Sequence, residues 1–305
     1  MILVLECYAR FMQKRVVCAF VAAAAAVVTL SAQATAPAKH FLWAVSTPGA
    51  PPSYLLGSLH VLTPDYYPLA PRIDQAFTSS KVLIQEADLD EVNNPAVVMG
   101  LIGKAMLSDG RTLDQLIPQA LYAKVMERAD TLGLPRAAVQ RMKPWLVALS
   151  LTQPALQAAG FKAEHGVDMH FFERAKRAGM TRRALETVAF QFDRLDRLTP
   201  AQQESLLQST IDEIDTQITN VKTIADAWAR GEAATVEKLL LTSMTSSPDL
   251  YQSLLVERNA SWVPSVEACF KEQASCFIVV GAAHLVGPDS LVAMLQKKGY
   301  RVEQQ

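Results

Sequence analysis

Short apolar runs bounded by turn-forming residues indicate β-strands towards both ends of the chain. The runs are Phe41–Val45, Tyr54–Leu56, Val82–Ile84, Arg182–Leu185, Cys276–Val280 and Tyr300–Glu303. A Pro- and Gly-rich segment separates the first two runs, which predicts a hairpin. The runs that begin at Val82 and Cys276 are uniformly apolar, as expected of buried strands.

Helical patterns fill most of the chain between those runs. A short helix is predicted over Pro71–Ser79, with proline in the favoured first turn. Residues 95–179 and 200–268 have helical spacing with Gly and Pro breaks. We therefore expect an α/β fold: a mixed central sheet from two strand–G-x-x-H–helix–strand units, with a long helical insertion over about 95–268 between them.

The two units repeat one plan. The first contains Gly57-Ser58-Leu59-His60 directly after a strand, and the second contains Gly281-Ala282-Ala283-His284 in the same position. A helix and a further strand follow each motif, and such units close as parallel crossovers in nearly all cases. Ligands of such sheets bind beyond the carboxyl ends of the strands. We expect each motif glycine to let the chain turn sharply off its strand and approach a ligand closely.

His60, Glu86 and His284 each lie at the carboxyl end of a predicted strand, so one sheet would bring them to a common edge. Two imidazoles and a carboxylate form a three-ligand set for a divalent metal ion such as Mn, Co or Zn. A single G-x-x-H match is weak, but two matches that each follow an apolar strand are stronger. The alternative is that each histidine caps its strand and hydrogen-bonds the backbone.

Arg258 and Glu186 are further candidates for catalytic roles. Arg258 would hold a substrate carboxylate or stabilise a developing oxyanion, because its planar guanidinium stays charged. The alternative for Arg258 is a surface or interface salt bridge. Glu186 would be a base or a partner of another site residue, and its alternative is a residue that favours a helix N-terminus.

Composition and charge exclude several classes of protein. The chain has 305 residues, of which 50% are hydrophobic and 19% charged, so it is not disordered. With 29 basic and 30 acidic side chains, it gives no electrostatic reason to expect a nucleic-acid partner. The motifs of zincins, serine hydrolases and nucleotide-binding folds are absent from the sequence.

The first 34 residues have the pattern of a secretory signal peptide. Lys14 and Arg15 precede the uncharged run Val16–Leu30, and small residues follow that permit cleavage after Ala34 or Ala36. The run has 15 residues, fewer than the roughly 20 that a membrane-spanning helix needs, which makes an uncleaved anchor the weaker interpretation. We expect residues 35–305 to form a single exported domain, periplasmic or secreted, with no stable membrane span after cleavage; the start at residue 1 or 12 stays open.

Two cysteines remain after that cleavage, Cys269 and Cys276. In an oxidising compartment they are expected to form one local disulfide. A metal or redox site is the alternative, but the sequence has no C-x-x-C and no neighbouring histidine.

The order of several short motifs resembles the TraB/GumN family. These are Gly57–His60, Leu83–Glu86, Gly166–Asp168, Leu185–Thr187, Glu257–Asn259 and Val280–Leu285. The resemblance covers the chain from Phe41 to its C-terminus. The family is similar to the Tiki proteins, which are membrane-tethered, metal-dependent proteases with paired G-x-x-H motifs.

By position, the resemblance implies that His60, Glu86 and His284 belong to the site and that Arg258 and Asn259 match the late Arg-Asn pair. The long C-terminal anchor of Tiki-type members has no counterpart here, which implies a free soluble protein.

The expected function is an exported, metal-dependent hydrolase that acts on a peptide or amide bond. Its partners would be peptide or small-molecule substrates. One alternative is a non-catalytic exported protein that uses the same residues to bind a metal, haem or small ligand. Another is metal-free hydrolysis, in which a histidine acts as general base beside Glu86. The substrate, the metal and the oligomeric state are left open by the sequence.

Overall fold

The computed structural model describes residues 38–245, 248–272 and 274–305. The predicted signal peptide, residues 1–34, lies outside the described residues. Within the described part, no helix is both long and apolar enough to cross a bilayer.

The strands of the described chain form one mixed, six-stranded sheet, in the spatial order β4-β3-β5-β2-β1-β6. The strands are β1 (Leu42–Ser46), β2 (Ser53–Ser58), β3 (Val82–Ala87), β4 (Thr181–Glu186), β5 (Cys276–Gly281) and β6 (Arg301–Gln304). β5 runs parallel to both β2 and β3, and β3 runs parallel to β4. The hairpin of β1 and β2 is antiparallel, as is the pairing of β1 with β6. The predicted α/β class with a mixed sheet is confirmed.

The helices occupy the connections and the long middle of the chain. They are α1 (Pro71–Ser79), α2 (Pro95–Ala105), α3 (Gln119–Thr131), α4 (Arg136–Val139), α5 (Pro144–Ala158), α6 (Val167–Arg177), α7 (Val188–Asp196), α8 (Pro200–Ala229), α9 (Ala233–Thr245), α10 (Pro248–Tyr251), α11 (Glu257–Lys271) and α12 (Leu291–Lys297). Proline stands in the first turn of α1, α2, α5 and α8, where its missing N–H has no helical partner to lose.

Both predicted units are parallel crossovers. β2, α1 and β3 form the first, with β5 inserted between their strands, and β5, α12 and β6 form the second. Every residue of β2, β3 and β5 is buried, which explains why these runs are nearly continuous in apolar residues. With β4, which is parallel to β3, the sheet therefore has four adjacent parallel strands whose carboxyl ends meet at one edge.

β3 is longer than its apolar run predicts. The pattern ends at Ile84 because Gln85 and Glu86 are polar, yet both are buried within the strand. Their polar atoms are satisfied, since the Gln85 amide donates to the Asp168 carbonyl and Glu86 accepts hydrogen bonds on both oxygens. A polar residue can thus continue a buried strand where neighbouring groups form hydrogen bonds with its side chain.

A disulfide connects α11 to β5. Cys269 and Cys276 are both fully buried, with Cα atoms 6.5 Å apart, and the predicted bridge is present. The bridge joins the helix that carries Arg258 to the strand that ends in Gly281.

Candidate functional site

The sheet topology brings the two motif histidines together. Ser58 and Gly281 are paired in register at the carboxyl ends of β2 and β5. His60 follows two residues after β2, and His284 lies in a short 3₁₀ turn that follows β5. β3 lies on the other side of β5, and its Glu86 reaches the same edge. The site therefore surrounds the end of the central strand.

The three groups converge on Gly281. A Cβ atom added at Gly281 would lie 3.1 Å from Glu86 Oε1, 3.5 Å from His284 Cδ2 and 3.6 Å from His60 Nε2. Any larger residue would place its side chain among these three groups. Because Gly281 lacks that side chain, the space between them is left open.

The prediction that both motif glycines permit a sharp turn and a close approach to a ligand is partly wrong. Neither Gly57 nor Gly281 has positive φ, so neither is needed for a sharp turn. Gly57 is required by packing, since a Cβ there would overlap the Phe41 ring, and its carbonyl accepts a hydrogen bond from the Trp228 indole. Only Gly281 makes the close approach to site groups that the prediction assigned to both.

Glu86 is buried and ionised. Its Oε1 accepts the Gly281 N–H at 2.6 Å, and its Oε2 accepts from Arg258 Nη2 at 2.8 Å. Burial alone would raise the pKa of the carboxyl, but the charge of Arg258 and the Gly281 N–H, which both favour the ionised form, outweigh it. The result is a pKa well below the usual range.

Arg258 forms the centre of the polar cluster rather than a surface salt bridge. Its Nη2 binds Glu86, its Nε binds Glu186 Oε1 at 3.0 Å, and its Nη1 lies 3.2 Å from His284 Nε2. The guanidinium carbon lies 4.8 Å from the centre of the Trp262 ring. A π-helical turn, Gln252–Val256, comes just before Arg258, and such turns are frequent at functional sites.

Glu186 holds Arg258 in place. It is the last residue of β4, and Trp262 Nε1 and Gln191 Nε2 donate to it at 3.0 and 2.9 Å. With the three Arg258 hydrogen bonds, these contacts engage both carboxylate oxygens. Of its two predicted roles, the geometry favours a partner of Arg258 over a free base.

The hydrogen bonds of His284 determine its tautomer. Asn259 Nδ2 donates to the Asp289 carbonyl, so Asn259 Oδ1 faces His284 Nδ1 at 2.7 Å and must accept its proton. The lone pair is therefore on Nε2, towards Arg258. Burial, opposed by the charge of Glu86, lowers the pKa of His284 to about 3, so the ring is neutral.

His60 is oriented by Asp168. Its Nδ1 lies 2.8 Å from Asp168 Oδ2, while Ser58 donates to the other carboxylate oxygen at 2.6 Å. The Asp168 charge, opposed by burial, raises the pKa of His60. The His60 side chain is 32% exposed, so this imidazole is the member of the pair that solvent reaches.

Asp168 and Asn259 were not assigned as site residues by sequence reasoning. Asp168 lies in the first turn of α6, and Gly166 lets that helix start against the His60 backbone, where a Cβ would overlap the His60 carbonyl. The signals were present in two motifs, Gly166–Asp168 and the Arg258-Asn259 pair. What the sequence lacked was any indication that these distant segments reach the sheet edge.

A cleft of about 340 Å³ opens over the cluster. His60, Glu86, Arg258 and His284 form its polar floor, and Arg194 lies at its wall. The rest of the lining is largely apolar, and its large apolar side chains are Leu59, Leu149, Leu240, Met244, Leu254 and Leu255. His165 and His170, which flank Asp168 in sequence, do not line this cleft.

The donor types fit a divalent cation, but in this arrangement Arg258 binds two of the three, Glu86 and His284. Both imidazoles are anchored through Nδ1 and leave Nε2 for a ligand, and Gly281 leaves space between them. As it stands, no group of three His, Cys, Asp or Glu side chains among the described residues is arranged to hold a metal ion. The Arg258 guanidinium lies among these residues, bound to Glu86 and 3.2 Å from His284 Nε2.

Fold and site together define an α/β protein with a His–Glu–Arg cluster at the carboxyl edge of its parallel strands. The chain belongs to the TraB/PrgY/gumN family, whose sequence profile matches residues 41–304. The predicted family resemblance is therefore confirmed.

Curated relatives fall into two groups. The chain is 25% identical to the uncharacterized protein YbaP of Shigella flexneri over 260 residues, which cover 84% of this chain and 94% of that protein. It is also 25% identical to the metalloprotease TIKI2 of Danio rerio, over 86% of this chain and 60% of that protein. The human metalloprotease TIKI1 is 22% identical, over 86% of this chain and 61% of its own length. No solved structure matches significantly.

Proposed function

We propose that the protein is an exported, metal-dependent hydrolase that acts on a peptide or amide bond. His60, Glu86 and His284 would hold the divalent ion, of which Mn, Co and Zn suit these ligands. The observation that carries the proposal is the pair of imidazoles, each anchored through Nδ1 and each with Nε2 near Glu86. The names of the TIKI relatives support a peptide as the substrate class.

The bound ion would serve as a Lewis acid for the carbonyl of the scissile bond. Asp168 and Asn259 act as positioning residues, because each fixes the tautomer and orientation of one histidine. The guanidinium of Arg258 is buried and charged and belongs to the polar floor of the cleft. There it would hold a substrate carboxylate or a developing oxyanion. Glu186 keeps Arg258 in place.

The cleft wall supports a substrate with an apolar side chain beside the scissile bond. Its six Leu and Met residues give an apolar lining next to the polar floor, as in most small-molecule sites. A volume of about 340 Å³ accommodates a few residues of a peptide rather than a folded protein. An extended or locally unfolded peptide segment is thus the preferred substrate.

One observation favours a second candidate, metal-free hydrolysis. His60 and Asp168 form a dyad in which the carboxylate would stabilise a protonated imidazole. Because the His60 side chain is partly exposed in the cleft, its Nε2 would be able to act as a general base on a water molecule.

Metal content separates the two candidates. Protein purified without a histidine tag should carry or take up one Mn²⁺, Co²⁺ or Zn²⁺ ion per chain. His60→Ala, Glu86→Gln and His284→Gln should each weaken binding by about a hundredfold or more, beyond the loss expected for a residue that only orients a ligand. Calorimetry and metal-dependent melting measure this.

His165→Ala is the matched control, since His165 lies close by in sequence to Asp168 but outside the cleft. It should bind metal like the parent. If the three site variants also bind metal like the parent, the metal-site proposal is wrong. Peptide cleavage that persists in chelator but disappears in His60→Ala would instead support the metal-free dyad.

Export has its own test. The basic, apolar and small-residue order of residues 14–36 predicts a mature chain that begins at residue 35 or 37. Sequencing the N-terminus of the expressed protein decides this. An intracellular product that retains residues 12–34 would contradict export.

A further inference from the structure

We propose that Arg258 and the divalent ion exclude one another, so that the site alternates between an arginine-closed state and a metal-loaded state. The structure has the arginine-closed arrangement, in which the guanidinium binds Glu86 and His284. The inference rests on the proposed function, because it takes His284 and Glu86 as metal ligands.

His284 can serve only one of the two cations. Its Nδ1 proton is donated to Asn259 Oδ1, which leaves one lone pair, on Nε2. That lone pair faces Arg258 Nη1 at 3.2 Å. A metal ion needs the same lone pair, and an imidazole nitrogen has no second one. Arg258 must therefore leave His284 before His284 can bind a metal.

Charge gives a second reason. Two buried carboxylates, Glu86 and Glu186, share the single positive charge of Arg258, and Arg258 and Glu86 have side-chain exposures of only 12% and 9%. A divalent ion at Glu86 would lie beside a guanidinium that is out of water, where repulsion between like charges is weakly screened. Movement of the guanidinium away from Glu86 relieves that repulsion.

Arg258 has a second set of contacts that does not involve either ligand. Glu186 accepts from Nε and Nη2, Nη1 donates to the Leu254 carbonyl at 3.1 Å, and the group stacks on Trp262. Glu186 is itself held by Trp262 and Gln191. The guanidinium can therefore give up His284 and Glu86 and stay bound to Glu186, ready to return when the metal leaves.

Mutual exclusion and a purely substrate-binding role of Arg258 predict different metal affinities once Arg258 is removed. If Arg258 only touched the substrate, its removal would leave metal affinity unchanged. If Arg258 competes for the ligands, its removal must increase metal affinity, because binding no longer requires the closed state to open.

The experiment compares Zn²⁺ binding by calorimetry in four proteins: the parent, Arg258→Met, Arg258→Lys and Arg194→Met. Arg194→Met is the matched control, since Arg194 lines the same cleft but pairs with Glu257. We expect Arg258→Met to bind Zn²⁺ about tenfold tighter or more than the parent, and Arg194→Met to stay within about threefold. Melting in chelator establishes that each variant is folded.

Arg258→Lys covers the case in which Arg258→Met fails to fold because two carboxylates lose their partner. Lysine keeps the charge but lacks the planar fork that reaches Glu186, Glu86 and His284 together. It should bind Zn²⁺ about threefold tighter or more than the parent. A parallel His284→Gln substitution on either background should abolish the gain.

The outcomes are distinguishable. Zn²⁺ binding that depends on His60 and His284 but is equal or weaker in both folded Arg258 variants would overturn the exclusion and leave the proposed function intact. If no protein of the set binds Zn²⁺ through these histidines, the proposed function and the exclusion are both wrong. A gain of equal size in Arg194→Met would attribute the effect to general charge and also overturn the exclusion.

Discussion

At the scale of single residues, Asp168 determines what His60 presents to the cleft. The carboxylate accepts from Ser58 on one oxygen and faces His60 Nδ1 with the other, so the His60 proton belongs on Nδ1 and the lone pair on Nε2. The same charge raises the pKa of His60. Orientation, tautomer and basicity of this imidazole thus depend on one side chain from a different part of the chain.

Asp168→Asn should reverse that tautomer with little change in shape. Ser58 would keep donating to the amide oxygen, so the amide NH₂ would face Nδ1 and move the His60 proton to Nε2. We expect metal affinity to fall by about 10–100-fold, as for other residues that orient a ligand, with a small change in melting temperature. Calorimetry measures the affinity, and ¹⁵N NMR of the imidazole reports the tautomer.

Ser58→Ala is the control for that prediction. It removes the other hydrogen bond of the Asp168 carboxylate but leaves its charge facing His60. Its effect on metal affinity should be clearly smaller. Equal losses in the two variants, or an unchanged ¹⁵N pattern in Asp168→Asn, would show that Asp168 acts only through local packing.

At the scale of elements, the part of the site that follows strands could be predicted from sequence, whereas of the site residues on helices only Arg258 was a candidate. Each G-x-x-H motif follows an apolar run, and parallel pairing of β2 with β5 then requires Ser58 and Gly281 to be neighbours. The burial of Arg258 had no such signal. Its position depends on the packing of α11 against the sheet, which is a tertiary arrangement that local pattern does not encode.

The contact between Asp168 and His60 was also not predictable from local sequence pattern. Asp168 lies 108 positions from His60 in sequence, and the two meet because Gly166 permits a close backbone approach. A glycine before a helix has many ordinary explanations, so nothing in the local pattern distinguishes Gly166 from other glycines. Residues that orient a ligand are therefore harder to find than the ligands themselves.

The Cys269–Cys276 bridge connects two elements that carry site residues, α11 and β5. Replacing both cysteines with alanine should lower the free energy of unfolding by about 2–3 kcal/mol from chain entropy alone, since the closed loop is short. Both side chains are fully buried, so lost packing adds to this. Urea unfolding with and without reductant measures the effect.

Reduction of the parent protein should reproduce the entropic part of that loss without the lost packing. The difference between reduced parent and double variant then isolates the packing contribution. Titration of two free thiols in the unfolded, unreduced mature protein, which begins at residue 35 or 37, would contradict the bridge. Zn²⁺ affinity of the folded double variant should stay within about threefold of the parent, because neither cysteine contacts the site.

At the scale of the whole molecule, stability should depend on pH through two neutral histidines. Burial, with a contribution from the neighbouring Arg174, lowers the pKa of His170 to about 4, and burial lowers that of His284 to about 3. Both would titrate near 6.5 in the unfolded chain. His60 has the opposite shift, caused by Asp168, so its contribution is present below pH 6.5 and is lost as the pH rises.

The two neutral histidines destabilise the folded protein in acid. Between pH 6.5 and about 4, the unfolded chain binds protons at both His170 and His284 that the folded protein does not. The free energy of unfolding must therefore fall as the pH falls, by at most about 1.4 kcal/mol per pH unit for each histidine. The effect of His170 should be the smaller, because it is only partly buried and solvent screens it.

His170→Gln tests this without touching the proposed site. Glutamine keeps an acceptor for Arg174, which approaches His170 Nε2 at 3.3 Å, but does not titrate. Urea unfolding in chelator should give a smaller loss of stability between pH 7.5 and pH 5 in the variant than in the parent. At pH 7.5 both histidines are neutral in both states, so a difference there measures packing alone. Parallel pH profiles for parent and variant would mean that His170 takes up its proton equally in the folded and unfolded chain, and the loss between pH 7.5 and pH 5 would then belong to His284.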